Sequence, residues 1–473
     1  MTKKKTYPTE TYDITIESIN DRGNGYAQIT HPPVNGHMGA GLQIFVPHVA
    51  PGDKVRVSVP NAKGRRRASV FEYELLEAGP HRDPEFEFNP DFSGGTPLIA
   101  MSYEAQLDYK QQMIEDYLDK VGVDKQLIRP IIGMDQPFHY RNKMELTFGI
   151  DGSLGMHGQG NYKKVVDLKD SVLATQDMMT AKRIVEQWWL DSNLPAYNKE
   201  TKEGLLRHLI LRQSHQTKEL MVGIVANGMP ENYDEVTQKL SARLTAELPT
   251  LTSLLWIENT SISERSYETT THVITGSDHI NEAFCGFTFR IWHDTFFQPN
   301  PVQAQKMVEI VEGLIKDKQY NQVVDLYCGI GTFSLPLARQ ARHLAGIEIV
   351  ESSIESAKRN AQDNGITNAE FICSEARRGL EALKEQWGSP DLLVLDPPRS
   401  GAGGKMMRSI GRYQPGAIIY ISCNPKELGN DLIWLDDFGY EVTYVQPVDQ
   451  FPHTIHSECI VMIEKSDSEK SIN

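Results

Sequence analysis

The pattern of apolar and polar positions divides this chain of 473 residues into three parts. In the first part, residues 12–19 alternate apolar and polar side chains with a period of two, and further short apolar runs follow up to residue 59. Turn-forming residues separate the runs, as in Asn-Asp-Arg-Gly-Asn-Gly at 20–25. Short alternating runs at close spacing are typical of β-strands that close into a small barrel. We therefore expect a β-barrel domain at residues 8–78.

The second part combines helical and strand patterns. Residues 79–97 are rich in Pro, Gly, Asp and Phe, which favours a linker, and residues 103–121 have the apolar spacing of a helix. From residue 132 to residue 289 both patterns occur without a nucleotide-binding signature. We expect a central α+β domain at residues 79–292.

The third part alternates helical stretches with short apolar runs, beginning with an amphipathic helix pattern at residues 301–316. Strands that alternate with helices predict βαβ units and a largely parallel, doubly wound sheet. The expected fold class is therefore α/β, with this sheet at residues 293–473. The apolar runs of strand length lie at 323–327, 343–349, 369–372, 392–395, 417–421 and 441–448.

Composition places the chain among ordinary globular proteins, since 40% of its residues are hydrophobic and 23% are charged. It has no apolar run near the ~20 residues of a membrane span, and no apolar stretch follows its basic first residues. Its five cysteines include no CxxC pair, which favours a reducing compartment. We expect a cytoplasmic protein without a membrane segment, a disulfide framework or a metal site.

The net charge of −15 argues against a nucleic-acid partner, because affinity for phosphate comes largely from Lys and Arg. The distribution of charge matters more than its sum, however. Between Lys54 and Arg67 there are six basic residues and no acidic one. Lys63, Arg65, Arg66 and Arg67 fall in a predicted hairpin loop, where a phosphate contact and a solvated loop are equally good interpretations.

A second basic pair comes directly before a predicted strand. Arg141 and Lys143 lie in Tyr-Arg-Asn-Lys, and the alternating residues 144–148 follow. The two side chains could contact RNA, but their spacing alone favours exposed strand positions.

The clearest local motif is Val-Asp-Leu-Tyr-Cys-Gly-Ile-Gly-Thr-Phe-Ser at 324–334. A predicted strand ends in an acid, and a Gly-x-Gly turn leads into a helix expected to begin near Thr332. The glycines allow a tight turn and close approach of a ligand, and Glu348 ends the next predicted strand, where a carboxylate can bind ribose hydroxyls. Because a third glycine is missing, S-adenosylmethionine fits better than a dinucleotide, and an ordinary turn is the alternative.

Later strand ends carry groups suited to catalysis. Asp396 opens Asp-Pro-Pro-Arg after one predicted strand, and Cys423 lies in Ser-Cys-Asn-Pro after the next. Ligands of open α/β sheets bind beyond such strand ends, so Cys423 could be a nucleophile, although a lone cysteine is usually a small buried apolar residue. His453, His456 and Glu458 are candidate proton-transfer groups.

Together these motifs resemble those of the bacterial RNA uridine-5-methyltransferases, the RumA/TrmA-like family, over nearly the whole chain. The resemblance implies a TRAM-like RNA-binding barrel, a central RNA-binding domain and a Rossmann-like methyltransferase domain. It also implies S-adenosylmethionine as cofactor, RNA as partner and 5-methyluridine as product. The motifs that carry it are Phe-Gln-Pro-Asn at 297–300, residues 325–331, residues 396–399, Ser-Cys-Asn-Pro at 422–425 and His-Ser-Glu at 456–458.

The resemblance also assigns roles to individual residues. It implies that Cys423 is the nucleophile that adds to C6 of uracil and that Glu458 is the base that removes the C5 proton, from a base flipped out of its stack. Thr332 and Glu375 differ in type from the residues of relatives. The positions that it assigns to the cofactor are Gln298, Tyr327, Gly329, Thr332, Glu348, Glu375 and Asp396.

Two features bear on the branch of the family. Many relatives hold an iron–sulfur cluster on four cysteines, but the loop at 87–96 contains Ser-Gly-Gly-Thr, and Glu87 and Ser171 fall near the other two positions. We therefore expect no cluster and expect polar contacts to fix the loop instead. The TRAM-like barrel resembles the branch that modifies 23S ribosomal RNA, since the transfer-RNA branch typically lacks it. The expected enzyme thus acts in 23S RNA processing, and the resemblance implies that it is a monomer.

Other functions stay open at this point. A transfer-RNA uridine-5-methyltransferase would share the same chemistry. A guanine N2-methyltransferase would use Asp396 to accept a hydrogen bond from an exocyclic amine, and Cys423 would be dispensable. A non-catalytic RNA-binding factor would not bind S-adenosylmethionine at all.

Overall fold

The chain folds, in a computed structural model, into two compact units. Unit 1 comprises Met1–Gln112 with Phe451–His456, and unit 2 comprises Met113–Gln450 with Ser457–Asn473. The three domains expected from the sequence are a different division and stay a prediction. The residues that the structure describes are 9–29, 41–60, 66–87, 95–158, 161–261, 269–316, 318 and 320–466, without the side chains of 161–163.

Unit 1 is built from short strands whose apolar faces share one core. The strands are β1 (Thr9–Thr15), β2 (Ser18–Ile19), β3 (Gly25–Ile29), β4 (Leu42–Val46), β5 (Lys54–Pro60), β6 (Arg67–Ser69) and β7 (Tyr73–Glu77). They pair in the orders β1-β5-β7 and β2-β3-β4-β6. In β5, Val55, Val57 and Val59 are buried and the residues between them are exposed, because successive side chains of a strand point to opposite faces.

Two details of unit 1 differ from the prediction. The single strand expected at 12–19 is divided between β1 and β2. The predicted hairpin after β5 is wrong, because Arg67 begins β6, and β6 pairs in parallel with β4 instead of returning along β5. Arg66 is exposed, whereas Lys63 and Arg65 lie outside the described residues.

The first sheet of unit 2 is largely antiparallel and follows helix α1 (Tyr103–Asp119). Its strands are β8 (Lys143–Phe148), β9 (Leu154–Gly158), β10 (Asn161–Asp167), β11 (Leu206–Gln213), β12 (Leu220–Ala226), β13 (Leu251–Glu258) and β14 (Thr270–Gly276), in the order β10-β9-β8-β11-β12-β13-β14. Helices α2 (Gln176–Ser192) and α3 (Tyr233–Glu247) pack on this sheet around Trp188 and Trp256. The hairpin β15 (Ile280–Phe284) and β16 (Phe287–Ile291) comes next.

The second sheet of unit 2 is the α/β sheet that the third part of the sequence predicts. Its strands are β17 (Tyr320–Leu326), β18 (Ala341–Glu348), β19 (Ala369–Cys373), β20 (Leu392–Leu395), β21 (Ala417–Ser422), β22 (Tyr440–Val448) and β23 (Glu458–Lys465). Its helices are α4 (Pro301–Ile315), α5 (Ser334–Ala338), α6 (Glu351–Asp363), α7 (Ala376–Trp387), α8 (Gly404–Tyr413) and α9 (Pro425–Asp436).

The strand order β19-β18-β17-β20-β21-β23-β22 fixes where a ligand can bind. β17 to β21 run parallel, whereas β23 runs antiparallel to both β21 and β22. The chain leaves β17 toward β18 on one side and returns to β20 on the other. Ligands of such sheets bind beyond the carboxyl ends of the strands at this reversal. No helix in the described ranges is long and apolar enough to cross a bilayer.

We predict that Asp53 stabilises unit 1 more than any surface ion pair does. Its buried carboxylate accepts hydrogen bonds from the backbone of Ala50 and Gly79, both at 2.8 Å, and from Arg82 at 2.6 Å. Asp53→Ala should lower the free energy of unfolding by ~3 kcal/mol or more, because it leaves a buried guanidinium unpaired. Hydrogen exchange of the β1 to β7 amides, followed by mass spectrometry, measures the loss.

Asp13→Ala is the matched control for this prediction. It removes a carboxylate whose pair with Arg56 is exposed to solvent, so it should change exchange little. Equal effects of the two substitutions would contradict the role given to Asp53.

Candidate active site

The loop after β17 turns tightly and is buried or half-buried along its length. Tyr327, Gly329 and Gly331 have positive φ angles of 64°, 53° and 89°. The left-handed conformation is costly for Tyr327, and strain of this kind is concentrated at ligand sites. The loop is fixed by the N–H of Cys328, which donates to Ile347 O at 3.1 Å. The strand-turn pattern predicted at this position is thus present.

The start of the following helix differs from the prediction. α5 begins at Ser334 and not near Thr332, which is buried in the turn. The Ser334 hydroxyl donates to the buried carboxylate of Asp325 at 2.5 Å. Burial raises the pKa of Asp325 to about 7, against the Ser334 hydrogen bond, which lowers it. Ser334 therefore stands where a third glycine is missing, and its hydrogen bond to Asp325 stabilises the end of β17.

Two further acids lie at the carboxyl edge of the sheet. Glu348 ends β18, and its Oε1 accepts hydrogen bonds from the N–H groups of Ile349 (2.8 Å) and Val350 (3.0 Å). Glu375 caps α7 by accepting from the first N–H groups of that helix. Beside Tyr327 and Glu375 there is a cavity of about 550 Å³. Of the residues selected from the sequence, Tyr327 and Glu375 line this cavity, together with Arg377, Arg378 and Lys405.

Gln298 links this edge to Asp396, which directly follows β20. Its Nε2 donates to Asp396 Oδ2 at 3.2 Å. Gln298 is itself held by Gln450, whose Nε2 donates to Gln298 Oε1 at 3.4 Å, and by Asn142, whose Nδ2 donates to Gln298 O at 2.9 Å. Burial raises the pKa of Asp396 to about 7, and the Gln298 hydrogen bond opposes the rise.

The sequence analysis missed Gln450 and Asn142. Each lies beside a residue that it did select, since Asn142 is between Arg141 and Lys143 and Gln450 precedes the histidines. Their contacts with Gln298 join residues far apart in the chain, which local spacing does not reveal.

Cys423 and Glu458 are brought together by strand pairing. In the antiparallel pair β21 and β23, Ser422 is opposite Cys459. Cys423 and Glu458 are the next residues along the two strands, so they occupy facing positions. Cys423 is half-buried and Glu458 is buried, with no hydrogen-bond partner for its Oε2 among the residues that the structure describes.

The electrostatics of this pair are dominated by burial. Burial, then the charges of Glu458 and Asp396, raise the pKa of Cys423 to about 12, and Arg399 opposes them. Burial and the charge of Asp396 also raise the pKa of Glu458 well above its usual value, again opposed by Arg399. The Cys423 thiol is therefore protonated near neutral pH.

The two histidines selected from the sequence belong to unit 1. His453 is buried, and its N–H donates to Gln106 Oε1 at 2.9 Å, which gives it a structural environment. His456 donates its N–H to Thr454 Oγ1 at 3.1 Å. The His453 ring Nδ1 is 3.2 Å from Gln106 Nε2, and the proton-transfer roles of both histidines stay predictions.

The basic residues selected from the sequence occur in both units. Arg66 and Arg67 are exposed in unit 1, where Arg67 Nε donates to Gln43 Oε1 at 3.1 Å. Arg141 and Lys143 are in unit 2 and are both half-buried, so the preference for exposed strand positions is wrong for them. Arg141 precedes β8, where its backbone N–H donates to Leu173 O, and Lys143 begins β8 and pairs with β11.

The residues of this edge fit S-adenosylmethionine. Carboxylates at the ends of β18 and β20 suit the hydroxyl groups of a ribose and the positive charge of the cofactor. The buried Oε1 of Gln450 has no hydrogen-bond partner in the described part of the chain, which leaves one acceptor available next to Gln298. No cluster of His, Cys, Asp and Glu suited to a metal ion occurs among the described residues.

We predict that Cys423 reacts slowly with alkylating reagents in the absence of RNA. Only the thiolate is a good nucleophile, and the raised pKa of Cys423 keeps the thiol protonated below about pH 10. Cys373, which is exposed, should be carboxamidomethylated faster at pH 8 in the same sample. Peptide mass spectrometry over time gives both rates.

Glu458→Gln sharpens this test. It removes a negative neighbour and so lowers the pKa of Cys423, which should speed its alkylation. Cys423 alkylation as fast as that of Cys373 in the unsubstituted enzyme would contradict the buried, protonated thiol.

Comparison with known proteins identifies the family. A sequence model described as tRNA (Uracil-5-)-methyltransferase matches residues 102–466. The chain is 32% identical over 460 residues to a protein of Halalkalibacterium halodurans named as an uncharacterised RNA methyltransferase, covering 96% of each chain. It is 35% identical over 427 residues to one of the same name from Caldanaerobacter subterraneus, covering 88% of this chain and 92% of the other.

The solved structure of Pyrococcus abyssi tRNA (uracil-54, C5)-methyltransferase in complex with S-adenosyl-L-homocysteine is also similar. It has a TM-score of 0.74 and 25% identity, covering 96% of this chain and 100% of the other. Neither a guanine N2-methyltransferase nor a non-catalytic factor agrees with these relatives. The chain therefore belongs to the RNA uracil-5-methyltransferase family and is an S-adenosylmethionine-dependent methyltransferase with a mixed α/β fold.

Proposed function

We propose that this enzyme methylates C5 of a uridine in 23S ribosomal RNA, with Cys423 as nucleophile and Glu458 as base. The observation that carries the proposal is the facing position of Cys423 and Glu458 at the ends of β21 and β23. A nucleophile and a base on facing positions can act on adjacent carbons of one ring. The proposed enzyme works as a cytoplasmic monomer.

The residues of the pair have complementary tasks in this mechanism. C5 of uracil is a weak nucleophile, so the Cys423 thiol first gives up its proton to solvent, and its sulfur then adds to C6 and makes the ring an enolate that is reactive at C5. S-adenosylmethionine, when bound, supplies the methyl group. Glu458 then accepts the proton from C5, and the bond between Cys423 and C6 breaks. The unpaired Oε2 of Glu458 supports this task, because a buried acceptor without a partner is available for a proton.

Other residues of the edge are proposed to hold the cofactor. Glu348 binds the ribose hydroxyls, and Asp396 with Gln298 faces the positively charged part of the molecule. The 550 Å³ cavity beside Tyr327 supports a binding position there. The complete proposed set is Gln298, Tyr327, Gly329, Thr332, Glu348, Glu375 and Asp396.

Phe296 is proposed to stack on a base of the RNA. Its side chain is 63% exposed, although its neighbour Phe297 is buried and Gln298 is next along the chain. When the target base flips out, the bases next to it lose their stacking partner. An exposed aromatic ring two residues from Gln298 is suited to stacking on such a base.

The substrate RNA has two candidates. The resemblance of the N-terminal strands to a TRAM-like barrel supports 23S RNA, with Arg66 and Arg67 as exposed cations that could contact it. Transfer RNA is the second candidate, supported by the Pyrococcus abyssi enzyme, which is named for uracil 54 of tRNA. Since the match to that enzyme covers 96% of this chain, it extends well before residue 102, and the N-terminal strands alone do not separate the two substrates.

We predict that 5-methyluridine forms in unmodified 23S RNA with the unsubstituted enzyme and not with Cys423→Ala. The enzyme is incubated with tritiated S-adenosylmethionine and either 23S RNA or transfer RNA, and the nucleosides are identified by mass spectrometry. Glu458→Gln should lower the rate by about 10²–10⁴-fold, as expected for loss of a general base. Cys373→Ala, which removes an exposed cysteine, should retain full activity.

The outcomes separate the parts of the proposal. Methylation of transfer RNA alone moves the function to the second candidate. Activity of Cys423→Ala on either RNA contradicts the covalent mechanism.

We predict that Phe296→Ala weakens RNA binding and leaves cofactor binding unchanged. Stacking of a base on an aromatic ring is worth ~1–3 kcal/mol, so the KM for RNA should rise ~5–150-fold. Phe296→Tyr should restore most of the loss, and Ile150→Ala, which shortens another exposed apolar side chain, is the control. Titration calorimetry with S-adenosylmethionine checks the cofactor site. A normal KM for Phe296→Ala would contradict the stacking role.

A further inference from the structure

Three cations lie close together where β8 and β11 meet. Lys143, the first residue of β8, is the direct cross-strand partner of Arg212 on β11. Arg141 comes two residues before Lys143 and adds a third charge. Like charges on facing positions destabilise a sheet, so this arrangement needs a reason beyond folding.

Arg212 is the most buried member of the cluster. Its side chain is 4% exposed, and its guanidinium donates to the neutral backbone oxygen of Thr295. Its Nε has no hydrogen-bond partner among the described residues. A buried charge without a charged partner is costly, which points to a ligand that supplies the missing negative charge.

The acids around the cluster supply only part of that charge, through one exposed ion pair and through space. Glu145 is 3.8 Å from Lys143, but its side chain is 52% exposed. Asp294 acts on Arg212 and Lys143 only through space, since no hydrogen bond joins it to either residue within the described ranges. Burial, then the charge of Arg212, lowers the pKa of Lys143 to about 8, as expected for a cation with too little compensation.

The cluster is close to the cofactor edge along the chain. Arg212 binds the backbone of Thr295, and Gln298 is three residues further. Three residues span at most about 10 Å, and the exposed Phe296 lies between them. Burial lowers the pKa of Arg141, and Arg399 is close enough for its charge to lower that pKa further. The charge of Arg399 also acts against the rise that burial causes in the pKa of Cys423. A negatively charged group bound here would therefore be near the reacting base.

We propose that Lys143, Arg212 and Arg141 form a binding site for one phosphodiester group of the RNA, next to the nucleotide that is methylated. Guanidinium groups bind phosphate oxygens in pairs, and the Lys143 ammonium adds a movable donor. S-adenosylmethionine carries a carboxylate but no phosphate, so Lys143→Gln should bind the cofactor normally in titration calorimetry, and weakened cofactor binding would contradict an RNA phosphate as the ligand. The site rests on the proposed function in one respect, which is that the ligand is the RNA substrate.

Charge-dependent binding tests the site. Binding of unmodified 23S RNA and of transfer RNA is measured against salt concentration for the unsubstituted enzyme, Lys143→Gln and Lys143→Arg. Lys143→Gln should bind about 10-fold more weakly at low salt, and the slope of log K against log salt should decrease by ~0.7–0.9. Lys143→Arg, which keeps the charge, should bind nearly normally. Lys239→Gln is the matched control, because Lys239 is an exposed lysine of the same unit.

A chemical substitution in the RNA locates the contact. An eight-residue RNA with a single uridine is made with one uncharged methylphosphonate at each linkage in turn. At one linkage flanking the uridine, the methylphosphonate should weaken binding to the unsubstituted enzyme and should have no further effect on Lys143→Gln. Additive losses at every linkage, or equal binding by Lys143→Gln and Lys239→Gln, would overturn the phosphate site.

The failure of this inference differs from the failure of the proposed function. If Lys143→Gln binds RNA normally and 5-methyluridine still forms, only the phosphate site is wrong. If no 5-methyluridine forms with any RNA, the proposed function fails, whatever the binding data show. The melting temperature of each variant, measured in the same buffer, shows that its fold is intact.

Discussion

The register between β21 and β23 is the constraint on which the candidate site depends. Because Ser422 faces Cys459, Cys423 and Glu458 occupy facing positions where this strand pair ends. A shift of one residue would turn every side chain of β23 to the opposite face and would separate them. The register is secured by the apolar residues of both strands, which are buried along nearly their whole length. The stability of the sheet and the geometry of the site therefore have the same origin.

Burial then sets the chemistry of the groups that the register brings together. Asp396, Cys423 and Glu458 are near one another, and the burial of each raises its pKa. In this setting a negative charge on one group disfavours a negative charge on the next, so they do not ionise independently. Arg399 is the cation that acts on both Cys423 and Glu458, and it follows directly from Asp-Pro-Pro.

The sequence was sufficient to predict a strand where the apolar residues of that strand alone determine its position in the sheet. Continuous apolar runs predicted β20 and β21 within one residue, because strands of a parallel sheet are covered on both faces. The family resemblance is confirmed, and with it the cofactor. The roles of Cys423, Glu458 and the cofactor residues stay predictions, as do the three domains and the absence of an iron–sulfur cluster.

Features that depend on partners distant in the chain were not predictable in this way. The parallel pairing of β6 with β4, the support of Gln298 by Gln450 and Asn142, and the burial of Arg212 are of this kind. Periodicity reports which face of a strand is apolar, but it does not report which strand or loop will cover that face. For the same reason, Arg141 and Lys143 were expected to be exposed and are half-buried.

Covalent trapping tests the central claim most directly. The enzyme is incubated with S-adenosylmethionine and 23S RNA or transfer RNA that contains 5-fluorouridine, in which no base can remove the group at C5 as a proton. The account predicts a protein–RNA adduct that survives denaturation, carries the transferred methyl group, and maps by peptide mass spectrometry to Cys423. An adduct at another residue, or no adduct with an RNA whose unfluorinated form is methylated, would contradict it.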